Sequence, residues 1–326
     1  MRIEEFISVL TCPPCHGALS IGRDVLKCEV CGEDYKVVKD IPILIPKKIE
    51  DENIKQLAHQ SEWFDRHYSY FHSYRLENWR KSMLKRMFTG LEMRGNHDPG
   101  SLYLDIGVGG NGYTVIEAAR KGYTAAGTDL SIEGVLSSKK FAKAEGVENK
   151  TFFIVCSAEY LPFKDEAFQK ISLLSVLEHL YNDCMAAQEI ARITAPKGRV
   201  FITVPNAYKR MWFFLWPFYY YMDKKIGHLR HYSEEDLSML FGGSSLECEE
   251  VFYNGHLIKF YQIAMERFGL IDDRKWWRLE ERDLLYRDNK MGVQLNAVFK
   301  KVVGFKGKDG HTEPESGKKT ELCKDA

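Results

Sequence analysis

The chain has 326 residues, of which 44% are hydrophobic and 28% charged, and its 46 basic and 46 acidic side chains leave a formal net charge of zero. It is long enough for two domains or for one large domain with an appendage, and its balanced charge argues against a generally basic nucleic-acid binder. No apolar run approaches the ~20 residues of a membrane span and the acidic start MRIEEFISVL is unlike a secretory signal, so the expected compartment is the cytoplasm.

The first chemistry lies in CPPCHG and CEVCG, where Cys12 and Cys15, then Cys28 and Cys31, form two C-x-x-C pairs. Two knuckles of this spacing turn four thiolates toward one point, the donor set of tetrahedral zinc, with no position left open for catalysis. A redox dithiol needs only one such pair in a βαβ setting. From Thr11 to Pro46 the stretch, with Tyr35 after the second knuckle and the apolar ending DIPILIP, resembles the zinc-ribbon family that includes the small activator subunit of RNA and protein methyltransferases. The resemblance implies a structural zinc ribbon over residues 1–48, acting either as a stabilising cap or as a recruiting device.

Residues 49–98 read as a helical connector of two helices through EWFDRHYSYFHSYRLENWRKSMLKRMF. Its Trp63, Phe64, Tyr68, Phe71 and Tyr74 suit a lid over a site or simple helix packing. After the turn NHDPGS, strands and helices alternate from SLYLDI to GRVFITVPN, which predicts parallel strands with helices on both faces and ligands beyond the strands' carboxyl ends.

LDIGVGGNG contains G-x-G-x-x-G at Gly107, Gly109 and Gly112, the fingerprint of a dinucleotide site. Asp105 breaks that pattern, because a dinucleotide-binding strand is normally still apolar there. A carboxylate at this position can accept loop amides or meet an ammonium group, which S-adenosylmethionine has and NAD lacks. Asp129, closing the next strand in AGTDLS, is placed for ribose hydroxyls of either cofactor.

Four motifs in order, LDIGVGGNG, GTDLS, SAEYLPF and SVLEHL, resemble the class I S-adenosylmethionine-dependent methyltransferases over about Ser101 to Pro205. The resemblance implies a Rossmann-like, seven-stranded α/β sheet over residues 99–303. It also implies S-adenosylmethionine contacts from Asp105, Gly107, Gly109, Asn111, Asp129, Leu130, Ser157, Ala158, Glu159 and Ser175. Asn111 and Ser157 stand where the family commonly has glycine and aspartate, which suggests an altered turn with Gly112 supplying the freedom and a different hold on the adenine.

Candidate catalytic residues are Glu178 and His179 of LEHL, an imidazole and a neighbouring acid beside the expected substrate pocket, and His228 and His231 of GHLRHYSEEDL. Ubiquinone-type O-methyltransferases, which share the VLEH motif, carry a further acid that helps bind a divalent ion where this chain has Ser175, which argues against a catalytic metal. Residues 207–232 form an aromatic insertion. Within it, Met211 to Lys225 joins large aromatics to a basic pair and suits a lid, a lipid-like acceptor or peripheral contact with the inner membrane face. The tail 304–326 has little to bury and is expected to be disordered. The expected function is methyl transfer to a small-molecule or lipid-like acceptor; RNA or protein methylation through the ribbon, and a cofactor-binding module without turnover, are the alternatives.

Overall fold

Short alternating segments near the N-terminus pair among themselves. Strand β1 (Leu19–Gly22) pairs antiparallel with β2 (Val25–Cys28), β2 with β3 (Asp34–Val38), and β3 with β4 (Ile41–Pro42). Lys39 and Asp40 both take positive φ, 51° and 58°, the left-handed pair that a two-residue hairpin turn needs. The computed structural model describes residues 1–47, 61–66, 68, 74, 76, 78–93, 98–210, 213–256, 261–262, 264–265 and 268–303. The tail 304–326 and Phe71 of the aromatic connector lie outside the described residues.

The large sheet consists of β5 (Leu102–Ile106), β6 (Thr124–Asp129), β7 (Thr151–Val155), β8 (Phe168–Leu174), β9 (Thr194–Pro205), β10 (Leu246–Asn254) and β11 (Gln294–Lys301). They lie in the order β10-β11-β9-β8-β5-β6-β7, seven strands in all, which is the α/β sheet anticipated from the alternation of elements. Strands β5, β6 and β7 are parallel, whereas β10 and β11 close the opposite edge as an antiparallel pair with a bulge between Cys248 and Glu250.

The chain divides into two units, the first made of residues 1–75, 96–172 and 184–199, the second of 76–95, 173–183 and 200–326. In the first, helices Tyr113–Arg120 and Ile132–Ala144 alternate with β5 to β7 and bury Val115, Ile116, Val135 and Phe141. Ser131 caps the second of these helices, its hydroxyl accepting the Gly134 amide at 3.0 Å.

The cysteine-bearing segment rests on the edge strand β7. The Leu44 amide donates to the Val155 carbonyl at 2.8 Å, Ile43 bridges Val155 in parallel, and the Thr11 amide donates to the Pro162 carbonyl at 2.9 Å. Phe6 stacks on Phe152 with ring centroids 4.6 Å apart. The Val155 end of that edge is thereby covered from within the chain.

In the second unit, helix Asn78–Leu91 meets helix Asp273–Leu284 through Glu280, whose buried carboxylate accepts from Ser82 and Arg86. Helix Asn78–Leu91 belongs to the second unit, and residues 61–66 and 68 belong to the first. Among the described residues no helix is long and apolar enough to cross a membrane.

Candidate functional site

The cofactor-side residues gather at the carboxyl ends of β5 and β6 in the first unit. Asp105 is 2% exposed and accepts hydrogen bonds from the hydroxyls of Thr114 and Ser172. Burial, only partly offset by these two hydroxyls, pushes its carboxyl up to about 7. Asp129 is also buried; its Oδ2 accepts the Gly109 amide at 2.8 Å and its Oδ1 the Ser131 amide at 2.9 Å. Burial outweighs those amides and holds Asp129 at about 6. The Leu130 amide faces the same carboxylate.

Gly112 begins helix Tyr113–Arg120 with φ +58°, and a Cβ there would stand 2.8 Å from the Ser138 Cβ. Gly107, Gly109 and Gly112 all take positive φ in this turn, and Asn111 is buried beside Gly112. The space above Gly109 is occupied by Tyr68, whose hydroxyl lies 3.6 Å from where a Cβ would be. Asp65, one turn earlier, accepts the Glu133 amide at 3.2 Å and the Ser131 hydroxyl, and Ser61 donates to the Leu130 carbonyl at 3.2 Å. After β7, Ser157, Ala158 and Glu159 form a buried turn in which the Ser157 hydroxyl accepts the Glu159 amide at 3.2 Å.

The remaining candidates surround a cavity of about 470 Å³ in the second unit. Its apolar wall includes Trp79, Met83, Tyr219 and Trp276; its polar wall includes Ser175, Glu178, Asp223, His228 and His231. Ser175, named with the cofactor residues from sequence, lines this cavity and adopts φ +58°, an uncommon conformation for a non-glycine residue.

The run HLRHY has a separate task for each polar residue. His228 Nδ1 lies 2.8 Å from Asp223 Oδ1, which turns its Nε2 toward Glu178 Oε1 at 4.0 Å. His231 uses both ring nitrogens, Nδ1 to the Asn206 carbonyl at 2.7 Å and Nε2 to Asp223 Oδ2 at 2.8 Å. Arg230 reaches Asp183 at 2.7 Å, and the Tyr232 hydroxyl donates to Asp183 at 2.7 Å, so this pair ties the loop to the start of helix Asp183–Ile193. Asn206 shapes the neighbouring loop, its side-chain amide donating to the Lys290 and Gly292 carbonyls at 2.9 and 2.6 Å.

Asp223 is therefore the hub of this wall, and the sequence reading missed it. It sits in YYYMDKKIG, where an acid between aromatics and lysines reads as a surface residue, and Tyr208 donates to it as well. Burial alone would raise its carboxyl, but the hydrogen bonds from Tyr208, His231 and His228 outweigh burial and lower it. Burial lowers His228 despite Asp223, and burial with the neighbouring His228 holds His179 at about 4. His179 Nδ1 lies 3.2 Å from the Gly227 carbonyl, and its ring meets His228 edge-on at 4.9 Å.

Glu178 is 0% exposed, and neither of its carboxylate oxygens completes a hydrogen bond of sound geometry. Burial pushes it up to about 8, with the Glu178 amide and the Ser175 hydroxyl offsetting only part of that effect.

The methyltransferase-domain family matches residues 71–251, more than half of the chain. The chain belongs to this methyltransferase family. The methyltransferase is 35% identical over 99 residues to norajmaline N-methyltransferase of Rauvolfia serpentina, a match covering 30% of this chain and 34% of that one. The curated relatives are thus matched over only about a third to two fifths of their own length.

Among solved structures, geranyl diphosphate C-methyltransferase of Streptomyces coelicolor A3(2), in complex with Mg2+, geranyl diphosphate and S-adenosyl-L-homocysteine, superposes with a TM-score of 0.54 at 13% identity. That match covers 76% of this chain and 98% of that one. A chain from the complex between the Trm112 methyltransferase activator of Haloferax volcanii and a methyltransferase superposes with a TM-score of 0.50 at 18% identity, covering 78% and 100%. At these identities both show the fold alone.

Proposed function

We propose that the methyltransferase methylates a small-molecule acceptor seated in the cavity of the second unit, with His228, oriented by Asp223, taking the proton that the acceptor gives up. The observation that carries this reading is the 2.8 Å contact between Asp223 and His228 on the wall of a largely aromatic cavity. A carboxylate on Nδ1 fixes the imidazole tautomer and leaves Nε2 as the basic atom. Burial keeps His228 unprotonated near neutrality, the state a general base requires. Bound S-adenosylmethionine supplies a methyl group on a positively charged sulfur, so the protein's task is alignment and deprotonation.

On the cofactor side we assign the ribose to Asp129, the backbone approach to Gly107 and Gly109, the adenine side to Ser157, Ala158 and Glu159, and the methionine ammonium to Asp105. Two buried carboxyls with raised proton affinity beside a glycine turn suit a cationic, hydroxyl-bearing ligand that replaces their protons. The name norajmaline N-methyltransferase, of a relative 35% identical over 99 residues, supports a small-molecule acceptor class.

The four N-terminal cysteines suit a structural zinc. The sulfurs of Cys12 and Cys31 are 3.6 Å apart, those of Cys15 and Cys28 3.4 Å, and all four lie within 4.8 Å of one another. Four thiolates at about 2.3 Å from a tetrahedral zinc stand about 3.8 Å from each other, close to this spacing. The Tyr35 hydroxyl, 3.1 Å from Cys12 Sγ, adds an outer-shell contact. With its strand on the edge of β7, the ribbon works as a built-in cover of the sheet.

A second reading concerns the aromatic insertion. Phe213, Phe214, Trp216, Tyr220 and Tyr221 are exposed beside Lys224 and Lys225, a composition suited to an anionic membrane surface. It favours an acceptor collected at, or released to, such a surface.

The test is to incubate the protein with methyl-labelled S-adenosylmethionine and an extract of its source organism, then separate lipid, small-molecule, RNA and protein fractions. Label in the small-molecule or lipid fraction is expected. Label in RNA or protein would overturn the acceptor class and make the ribbon a recruiting device.

A further inference from the structure

The geometry points to an acceptor that presents a protonated amine to Glu178 and His228, so that the methyltransferase methylates nitrogen; this rests on the reading that the cavity holds the acceptor.

A buried carboxylate without hydrogen-bond partners is costly unless a ligand supplies donors. Glu178 is fully buried, lines the cavity and completes no sound hydrogen bond at either oxygen. His228 Nε2 stands 4.0 Å from Glu178 Oε1, with Nδ1 already committed to Asp223. One potential ligand atom from each of Glu178, His179 and His228 lies within 4.8 Å of the others. Glu178 and the His228 Nε2 therefore face each other across 4.0 Å with no hydrogen bond of sound geometry between them.

Two kinds of cation could fill such a gap, each with its own spacing. A metal bonded at about 2.0–2.2 Å draws its ligand atoms to about 3.0–3.5 Å from one another. An ammonium nitrogen donating at about 2.8–2.9 Å with tetrahedral angles holds its acceptors about 4.6 Å apart. The observed 4.0 Å lies between these two spacings, and it is the aromatic lining of the cavity that favours an organic ammonium.

The rest of the cavity agrees in charge and shape. Glu178 and Asp223 are its carboxylates, while Arg86, the guanidinium on its lining, is engaged by Glu280 and Ser82. Trp79, Tyr219 and Trp276 supply ring surface to an organic cation.

In the reaction one N–H proton of the ammonium passes to His228 Nε2, leaving a neutral amine hydrogen-bonded to Glu178. Its lone pair forms the N–C bond to the donor methyl as the C–S bond breaks. The C–S electron pair stays on sulfur, the sulfonium becomes a thioether, and the positive charge returns to nitrogen. The proton on His228 passes to water.

The experiment uses the full chain with methyl-labelled S-adenosylmethionine and a small-molecule extract; unreacted donor is removed and products are separated on a cation exchanger at acidic pH. Label should be retained as cationic amines, and Glu178→Gln should reduce it about a hundredfold while calorimetric affinity for S-adenosylmethionine is unchanged. Label in neutral or anionic products would overturn the amine while leaving methyl transfer to a small molecule standing. No label in the small-molecule fraction would instead overturn the reading beneath it. Label in amines that Glu178→Gln does not diminish would remove Glu178 from recognition. Mn2+ titrated into the wild type and bound in a manner that Glu178→Gln abolishes would make a metal the occupant and likewise overturn the inference.

Discussion

Asp223 Oδ1 lies 2.8 Å from His228 Nδ1, within one segment of chain, so the acid that orients the imidazole and the imidazole itself are carried together. Asp223→Asn should leave the fold intact, because an amide can still face Tyr208 and both histidines, yet it no longer selects the tautomer. We expect kcat to fall about 10²–10⁴-fold, with His228→Ala similar and the double variant no worse than either single one. Initial rates with labelled donor decide this, and additive losses would mean that the two residues act separately.

Proton linkage should be visible in cofactor binding. Asp105 holds a proton up to about pH 7 and Asp129 up to about pH 6 in the free protein, and a cationic, hydroxyl-bearing ligand displaces them. Affinity for S-adenosylmethionine should rise between pH 5.5 and 7.5, by up to about tenfold per pH unit for each proton released. The stability of the free protein carries the opposite sign. Carboxyls raised above their unfolded values bind more protons in the folded state, so their contribution falls as pH climbs from about 4 to 7. Calorimetry in two buffers of different ionisation enthalpy reads the released proton, and a flat pH profile would contradict the assignment of both acids.

Metal analysis should find about one zinc per chain, lost when Cys12 and Cys28 are both replaced by serine. Because the ribbon lies on β7, its loss should also speed hydrogen exchange at the Leu44 and Val155 amides. Zinc loss with unchanged exchange there would separate metal binding from edge cover.

Gly112→Ala places a methyl 2.8 Å from the Ser138 Cβ at φ +58°. Destabilisation of about 1–3 kcal/mol is expected from the two effects together, with weaker cofactor binding. Urea denaturation checks the first and calorimetry the second.

The exposed aromatics of the insertion give a membrane prediction. Replacing Phe213, Phe214 and Trp216 together by serine should abolish co-sedimentation with anionic vesicles while leaving turnover of a soluble acceptor intact. Equal sedimentation of wild type and variant would remove the membrane from the reading.

Features carried by adjacent residues were legible in the sequence. The glycine turn, Asp105, Asp129 and the cysteine knuckles are local patterns, and the alternation of strands and helices predicts the sheet. Partnerships set by folding were not. Asp223 meets residues 15 positions before it and 5 and 8 after it, separations with no helical or strand period. The bonds of His231, with both nitrogens engaged, look in sequence the same as those of His228, which has one turned to Glu178. Nor does C-x-x-C spacing say that the strand which follows it will lie along β7.

That last arrangement governs how the protein responds to dilution. A cover supplied by a separate chain falls away as concentration drops, whereas one tethered in the same chain faces its edge at an effective concentration set by the tether. The Val155 end of strand β7 is thereby covered against edge-to-edge pairing with other copies, and that protection is independent of how much of any partner is present.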